Sequence, residues 1–136
     1  VQSAGVRIDG VGIQGHWHLG KIPLKEIEES INEYAALGLK VMFTELDIEV
    51  LPRNFEGADV SKRMQSDPSL NPYTNGLPDS VLKYKDKVTR VTFWGVTDGQ
   101  SWLNGWPVPG RTNYPLLFDR NYQAKPAFYK VTGLKK

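Results

Sequence analysis

The feature that most constrains this chain is an alternation. Short apolar stretches of strand character take turns with helical periodicity, and the longest loops fall after the strands. "RIDGVGIQGHWH" carries alternating Ile8, Val11 and Ile13 between glycines, as a strand leading into a loop would. "IPLKEIEESINEYAALG" then sets Leu24, Ile27, Ile31, Tyr34 and Ala35 on one helical face. Pro23 suits the first turn of that helix, and Gly38 suits the position just past its last turn. "LKVMFTE" is the next strand. The span from Pro52 to Asp79, rich in Pro, Asn, Asp, Ser and Gly, reads as a long loop. "SVLKYKDK" has room for a helix of about two turns, and "VTRVTFWGV" is a third strand dense in β-branched and aromatic residues. A second loop from Thr97 to Asp119 precedes a closing helix in "AKPAFYKVTGL".

Strands separated by helices predict a parallel sheet. In α/β barrels the loops after the strands carry the active site, so His16, Glu45 and Trp94 are expected near one rim. A chain of 136 residues is one domain in length. Three strands alone cannot close a barrel, however. They are expected to leave Val41, Phe43, Val91 and Phe93 without an opposing wall and two sheet edges unpaired.

"VMFTELDIEV" is the most unusual stretch, because a strand runs into Glu45, Asp47 and Glu49 with only Leu46 and Ile48 between them. Carboxylates so close raise one another's pKa, so a purely structural strand gains little from them. Either the far end of the strand reaches solvent or the acids do chemistry.

Composition narrows the functional classes. The balance of 17 basic and 15 acidic residues gives a formal charge of +2, with the basic residues scattered apart from pairs such as Lys135-Lys136. A nucleic-acid or membrane-surface footprint needs clustered Lys and Arg instead. No apolar run is long enough to span a membrane, and "VQSAGVRIDG" has no signal-peptide core, so a secreted protein is expected to be represented in mature or truncated form. Cysteine is absent, which excludes disulfides and thiolate chemistry and leaves the redox compartment undecided. His16 and His18 are the only imidazoles, too few nitrogens for a zinc site unless carboxylates complete it. No cofactor is expected. Four Trp and six Tyr offer flat faces able to stack on sugar-like ligands.

Three segments, "DGVGIQGH", "TELDI" and "VTFWGVTDGQSW", resemble in order and spacing the sixth, seventh and eighth strands of family-ten glycoside hydrolases, the endo-β-1,4-xylanases. The resemblance runs from about Gly5 to Lys130. It implies that residues 1 to 136 are the C-terminal portion of a single (β/α)8 TIM-barrel catalytic domain whose reaction is retaining hydrolysis of xylan. Glu45 falls on the family's nucleophile. His16 matches the histidine that bridges the nucleophile and the aspartate two residues on, here Asp47, and an imidazolium held there is expected to favour ionised Glu45. Gln14, Trp94 and Trp102 match sugar-binding positions, although Gln14 could be a strand-end polar residue and Trp94 simple core packing. No role carries over to His18, which is expected to face solvent. Trp106 reads as a loop aromatic packed by prolines, Asp98 as a turn anchor and Glu49 as a loop charge.

Two features depart from the family pattern. Its acid/base glutamate sits in an Asn-Glu pair on the fourth strand, whereas Asn32-Glu33 here lies inside the predicted helix. The helix between the second and third strands is also short. The acid/base is therefore expected outside this chain, the missing N-terminal part of the barrel is an expected partner in the same or another chain, and these residues alone are expected to be nearly inactive. The competing expectation is a non-catalytic carbohydrate-binding or structural fragment of such a barrel. Location by resemblance is secreted or periplasmic.

Overall fold

A computed structural model of the chain describes residues 2–51 and 77–133. Most of the predicted loop after Leu51 and the Lys135-Lys136 pair lie outside the described residues. A 3-10 turn at Gln2–Ala4 precedes strands β1 (Gly10–Ile13) and β2 (His16–His18), helix α1 (Leu24–Ala36) and strand β3 (Lys40–Glu49). Helix α2 (Leu77–Lys83), strand β4 (Val88–Phe93), 3-10 turns at Asp98–Gln100 and Trp102–Asn104, and helix α3 (Pro126–Thr132) follow. Among the described residues no helix is long and apolar enough to cross a membrane.

Every strand pairing is parallel. β3 is the central strand. β1 and β2 follow one another along one of its edges, and β4 takes the other, with Phe43 opposite Ile13 on one side and Val91 on the other. Over "RIDGVGIQGHWH", where a strand leading into a loop was expected, the segment taken for the loop carries the second short strand, β2. Gly15 divides β1 from β2 at φ +85°, a left-handed conformation in which a side chain would be strained.

The division coincides with an irregularity in β3. Ile13 pairs with Phe43 but His16 pairs with Asp47, and on the other edge the register shifts between Phe43 and Leu46. Both neighbours thus register one extra residue in β3, a β-bulge between Phe43 and Leu46. A one-residue slip exchanges the two faces of a strand. Val41 and Phe43 before the bulge, and Leu46 and Ile48 after it, accordingly all join the core that contains Ile27 and Ile31 of α1. Glu45, Asp47 and Glu49 are left on the opposite face.

α1 forms where its periodicity predicts, burying Ile27 and Ile31. Pro23 stands at its N-cap rather than inside the first turn, and Gly38 lies just past the C-cap at φ +77°. The expected exposure of the strand residues needs correction. Val41 and Phe43 are fully buried, because α1 already covers their face. Val91 and Phe93 are only half-buried and line an open apolar groove with Leu77, Val81, Leu82 and Val131. Among the described residues, the outer edges of β1 and β4 have no strand partner.

Candidate active site

The bulge aims Glu45 and Asp47 at the rim, and Gly15 brings His16 between them. The His16 Nδ1 lies 2.9 Å from Asp47 Oδ1, and Nε2 lies 3.2 Å from Glu45 Oε2. One imidazole therefore spans both carboxylates. Their exposures differ: the Glu45 side chain is 24% exposed and that of Asp47 only 1%. Glu45 is the carboxylate within reach of a ligand, and Asp47 is an internal prop. The second oxygen of Asp47 accepts a hydrogen bond from Trp102 Nε1 at 2.7 Å. Burial pushes the Asp47 carboxyl above the ordinary carboxylate range, against the hydrogen bonds from His16 and Trp102 that pull it down.

Gln14 sits beside Glu45. Its backbone oxygen accepts from the Glu45 N–H at 3.0 Å, while its side-chain amide is 3.5 Å from Glu45 Oε1, the outer limit of a hydrogen bond. Trp94 and Trp102 approach His16 edge-on, with ring centroids 6.2 and 5.5 Å away. Trp94 is an exposed residue at the end of β4, so it is not core packing. The sequence-predicted set of Gln14, His16, Glu45, Asp47, Trp94 and Trp102 is thus assembled in one place.

Two readings from sequence are overturned, and a third is extended. Trp106, read as a loop aromatic packed by prolines, also has its ring 5.0 Å from that of Trp102, tilted by 37°, and extends the aromatic surface. Glu49 is not a loop charge, because it ends β3 buried, with Arg111 Nη2 2.7 Å from its Oε1. His18 does not face solvent. It is half-buried, with its ring nitrogens 2.7 and 3.1 Å from the carbonyl oxygens of Leu19 and Leu51. The Glu49–Arg111 and His18–Leu51 contacts cross long sequence separations, which no local pattern announces.

The loop after β4 is held from within. Asp98, fully buried, accepts hydrogen bonds from Leu116 N at 2.9 Å and from Lys125 Nζ at 2.8 and 3.1 Å, so its anchoring role agrees with the sequence reading. Asn113, also fully buried, accepts from the N–H groups of Val50 and Tyr114. The end of β3 is thereby joined to the loop that carries Trp102 and Trp106.

Among the described residues of this cluster, the chemistry available is that of one presented carboxylate, Glu45. Asp47 and Glu49 are both buried and engaged, so neither is offered to a ligand as a proton donor. Asn32-Glu33 lies on α1, where Asn32 contacts the Tyr84 hydroxyl and Lys87, in agreement with a helix-surface pair. Among the described residues no group of three or more acidic or imidazole side chains is arranged to hold a metal ion.

Residues 1–134 match the sequence family described as glycosyl hydrolase family 10. Endo-1,4-beta-xylanase A of Xylanibacter ruminicola is 45% identical over an alignment covering 98% of this chain and 41% of that protein. A beta-1,4-xylanase of Dictyoglomus thermophilum is 42% identical, covering 96% of this chain and 38% of its own length. Among solved structures, xylanase B from Clostridium stercorarium superposes with a TM-score of 0.77 at 41% identity, over 96% of this chain and 38% of that one. A Paenibacillus barcinonensis xylanase in complex with a conduramine derivative gives 0.83 at 32% identity, over 96% and 40%. The chain thus spans about two fifths of the length of these relatives. Its parallel strands and crossover helix are a portion of a (β/α)8 barrel, and the chain belongs to glycosyl hydrolase family 10.

Proposed function

We propose that the protein carrying this chain is a retaining endo-1,4-β-xylanase that cleaves internal β-1,4 bonds of xylan, with Glu45 as the nucleophile. The observation that carries the reading is the His16 bridge between presented Glu45 and buried Asp47. Retaining hydrolysis requires a carboxylate that attacks the anomeric carbon and a second carboxyl about 5–5.5 Å away that serves as acid and then base. His16 fixes the orientation of the Glu45 carboxylate, and Asp47, held by Trp102, fixes the ring of His16. Gln14 offers an amide to sugar hydroxyls, while Trp94 and Trp102 offer faces and edges for sugar rings. The names of the relatives, endo-1,4-beta-xylanase and beta-1,4-xylanase, support the substrate class.

We place the acid/base glutamate in the part of the barrel outside this chain: among the described residues beside Glu45, Asp47 and Glu49 are both buried and engaged. Without it, leaving-group protonation is lost, so residues 1–136 alone hydrolyse xylan poorly. That same observation favours, for the isolated chain, the second reading of a fragment that binds sugar without cleaving it. The open β4 edge and the groove beside Val91 and Phe93 are suited to the remaining barrel units, in the same or another chain. A polymeric substrate of this kind is met outside the cell, which supports a secreted or periplasmic location, testable by fractionation.

The decisive test is Glu45→Gln in the complete barrel. Turnover of xylan is expected to fall by several orders of magnitude, because covalent chemistry needs the carboxylate, while calorimetric affinity for a xylo-oligosaccharide stays near that of the wild type. Retained turnover would refute the assignment.

A further inference from the structure

The third acid of "ELDIE", Glu49, has no part in the mechanism above, yet it is one of the most deeply buried charges among the described residues. Its carboxylate lies 2.7 Å from Arg111, and the side chains are 3% and 0% exposed. The same guanidinium donates through Nη1 to the Trp106 carbonyl at 2.6 Å and through Nη2 to the Leu51 carbonyl at 3.2 Å. A guanidinium is a rigid planar fork, so these contacts fix one another's directions. Trp106 in turn lies against Trp102 with ring centroids 5.0 Å apart, and Trp102 holds Asp47. Both indoles remain 38% exposed. A continuous path therefore runs from the buried end of β3, through Arg111, to an open aromatic surface beside Glu45.

We infer that Arg111, locked by Glu49, is a positioning residue: it ties the backbone of Trp106 to the end of β3 and thereby sets the paired-indole surface on which a sugar ring is received. Arg111 touches no substrate itself. The inference rests on the xylanase reading for the identity of the sugar, but not for the indole geometry. A lysine at 111 keeps a charge for Glu49 but lacks the fork that reaches two groups in fixed directions. Replacing both partners by apolar residues removes the tether without stranding a buried charge.

The test uses the full-length protein with Arg111→Lys and, separately, the double variant Glu49→Leu/Arg111→Met. Two signals are read beside the urea midpoint: the exciton circular-dichroism couplet of the Trp102–Trp106 pair, which needs no sugar, and the Kd for xylotriose from tryptophan fluorescence. The couplet is expected to collapse and the Kd to rise about tenfold, as small misplacements of a binding group do, while unfolding stays cooperative. A residue that only stabilises the fold would move the urea midpoint and leave the other two signals unchanged. A cooperatively folded variant whose couplet persists, or whose Kd stays within about twofold of the wild type, overturns the inference. Should the double variant not fold, Arg111→Lys decides by the same signals. Failure of the wild type to bind xylotriose refutes the xylanase reading instead, and the couplet alone then decides for Arg111.

Discussion

Replacing Asp98 by Asn while Lys125 stays in place isolates the energetics of the buried pair that anchors the loop after β4. Asp98 is 0% and Lys125 8% exposed, with Nζ 2.8 Å from one carboxylate oxygen and 3.1 Å from the other. Burial pushes the Asp98 carboxyl up and the Lys125 ammonium down, each against the attraction of its partner. The signs follow from linkage. Where a carboxyl is raised in the fold, its contribution is present below its ordinary value of 3.8 and lost as pH rises through the folded value. A lowered ammonium means that the unfolded chain holds the extra proton between the folded value and 10.5, so stability rises with pH across that window. The fold thus tolerates the ion pair rather than gaining from it. Breaking it is another matter. Asp98→Asn can keep Oδ1 as acceptor for Leu116 N–H and for Nζ at 3.1 Å, but it removes the compensating negative charge and sets an NH2 donor where Oδ2 stood 2.8 Å from the ammonium. The ammonium is left with neutral acceptors, that Oδ1 and the Tyr114 carbonyl at 2.9 Å. Such a stranded charge costs about 3–5 kcal/mol, out of a total margin of about 5–15 kcal/mol. The double variant Asp98→Asn/Lys125→Met removes both charges and should return to within about 1 kcal/mol of the wild type, since neutral replacement of a buried pair is close to neutral. Urea unfolding of the full-length protein, followed by tryptophan fluorescence, measures both. The single variant should lower the midpoint by more than about 1 M. If the double variant is no closer to the wild type than Asp98→Asn is, the coupling argument is wrong.

Trp102→Phe removes the indole N–H donor to Asp47, a charge-assisted bond worth about 1.5–3 kcal/mol. The Asp47 carboxyl, already raised, then rises further, and the acidic limb of kcat/KM moves to higher pH; a pH–rate profile that stays in place contradicts this. Gly15→Ala forces a side chain into φ +85°, with its Cβ 3.2 Å from Leu46 Cδ1. A loss of at least about 1–2 kcal/mol in chemical unfolding is expected from the left-handed strain alone, and an unchanged midpoint would show that the kink before His16 is not required.

The central strand, the helix before it and the three site motifs were legible because each is a local pattern. Ile27 and Ile31 repeat at helical spacing, Gly38 marks the turn after α1, and Glu45 and Asp47 are two residues apart on one strand. The bulge in β3 was not legible. "FTEL" carries no mark that one extra residue sits between Phe43 and Leu46, because the bulge is a matter of register against β1, β2 and β4. The sequence also could not show that Glu49 is buried, since its partner Arg111 is remote in sequence. The contact of Trp106 with Trp102 was hidden for a related reason. The prolines adjacent to Trp106 are visible locally, whereas its stacking on Trp102 depends on the Arg111 tether.

The central claim is that Glu45 forms the covalent bond to the sugar, and the most direct measurement is its capture. The complete barrel would be treated with a 2-fluoro xylobioside bearing a good leaving group, digested and mapped by mass spectrometry. A retaining nucleophile accumulates as a glycosyl ester under these conditions. The account predicts one adduct, on the peptide containing Glu45, absent from the Glu45→Gln protein. An adduct on another carboxylate, or no adduct together with a product of inverted anomeric configuration, would contradict it.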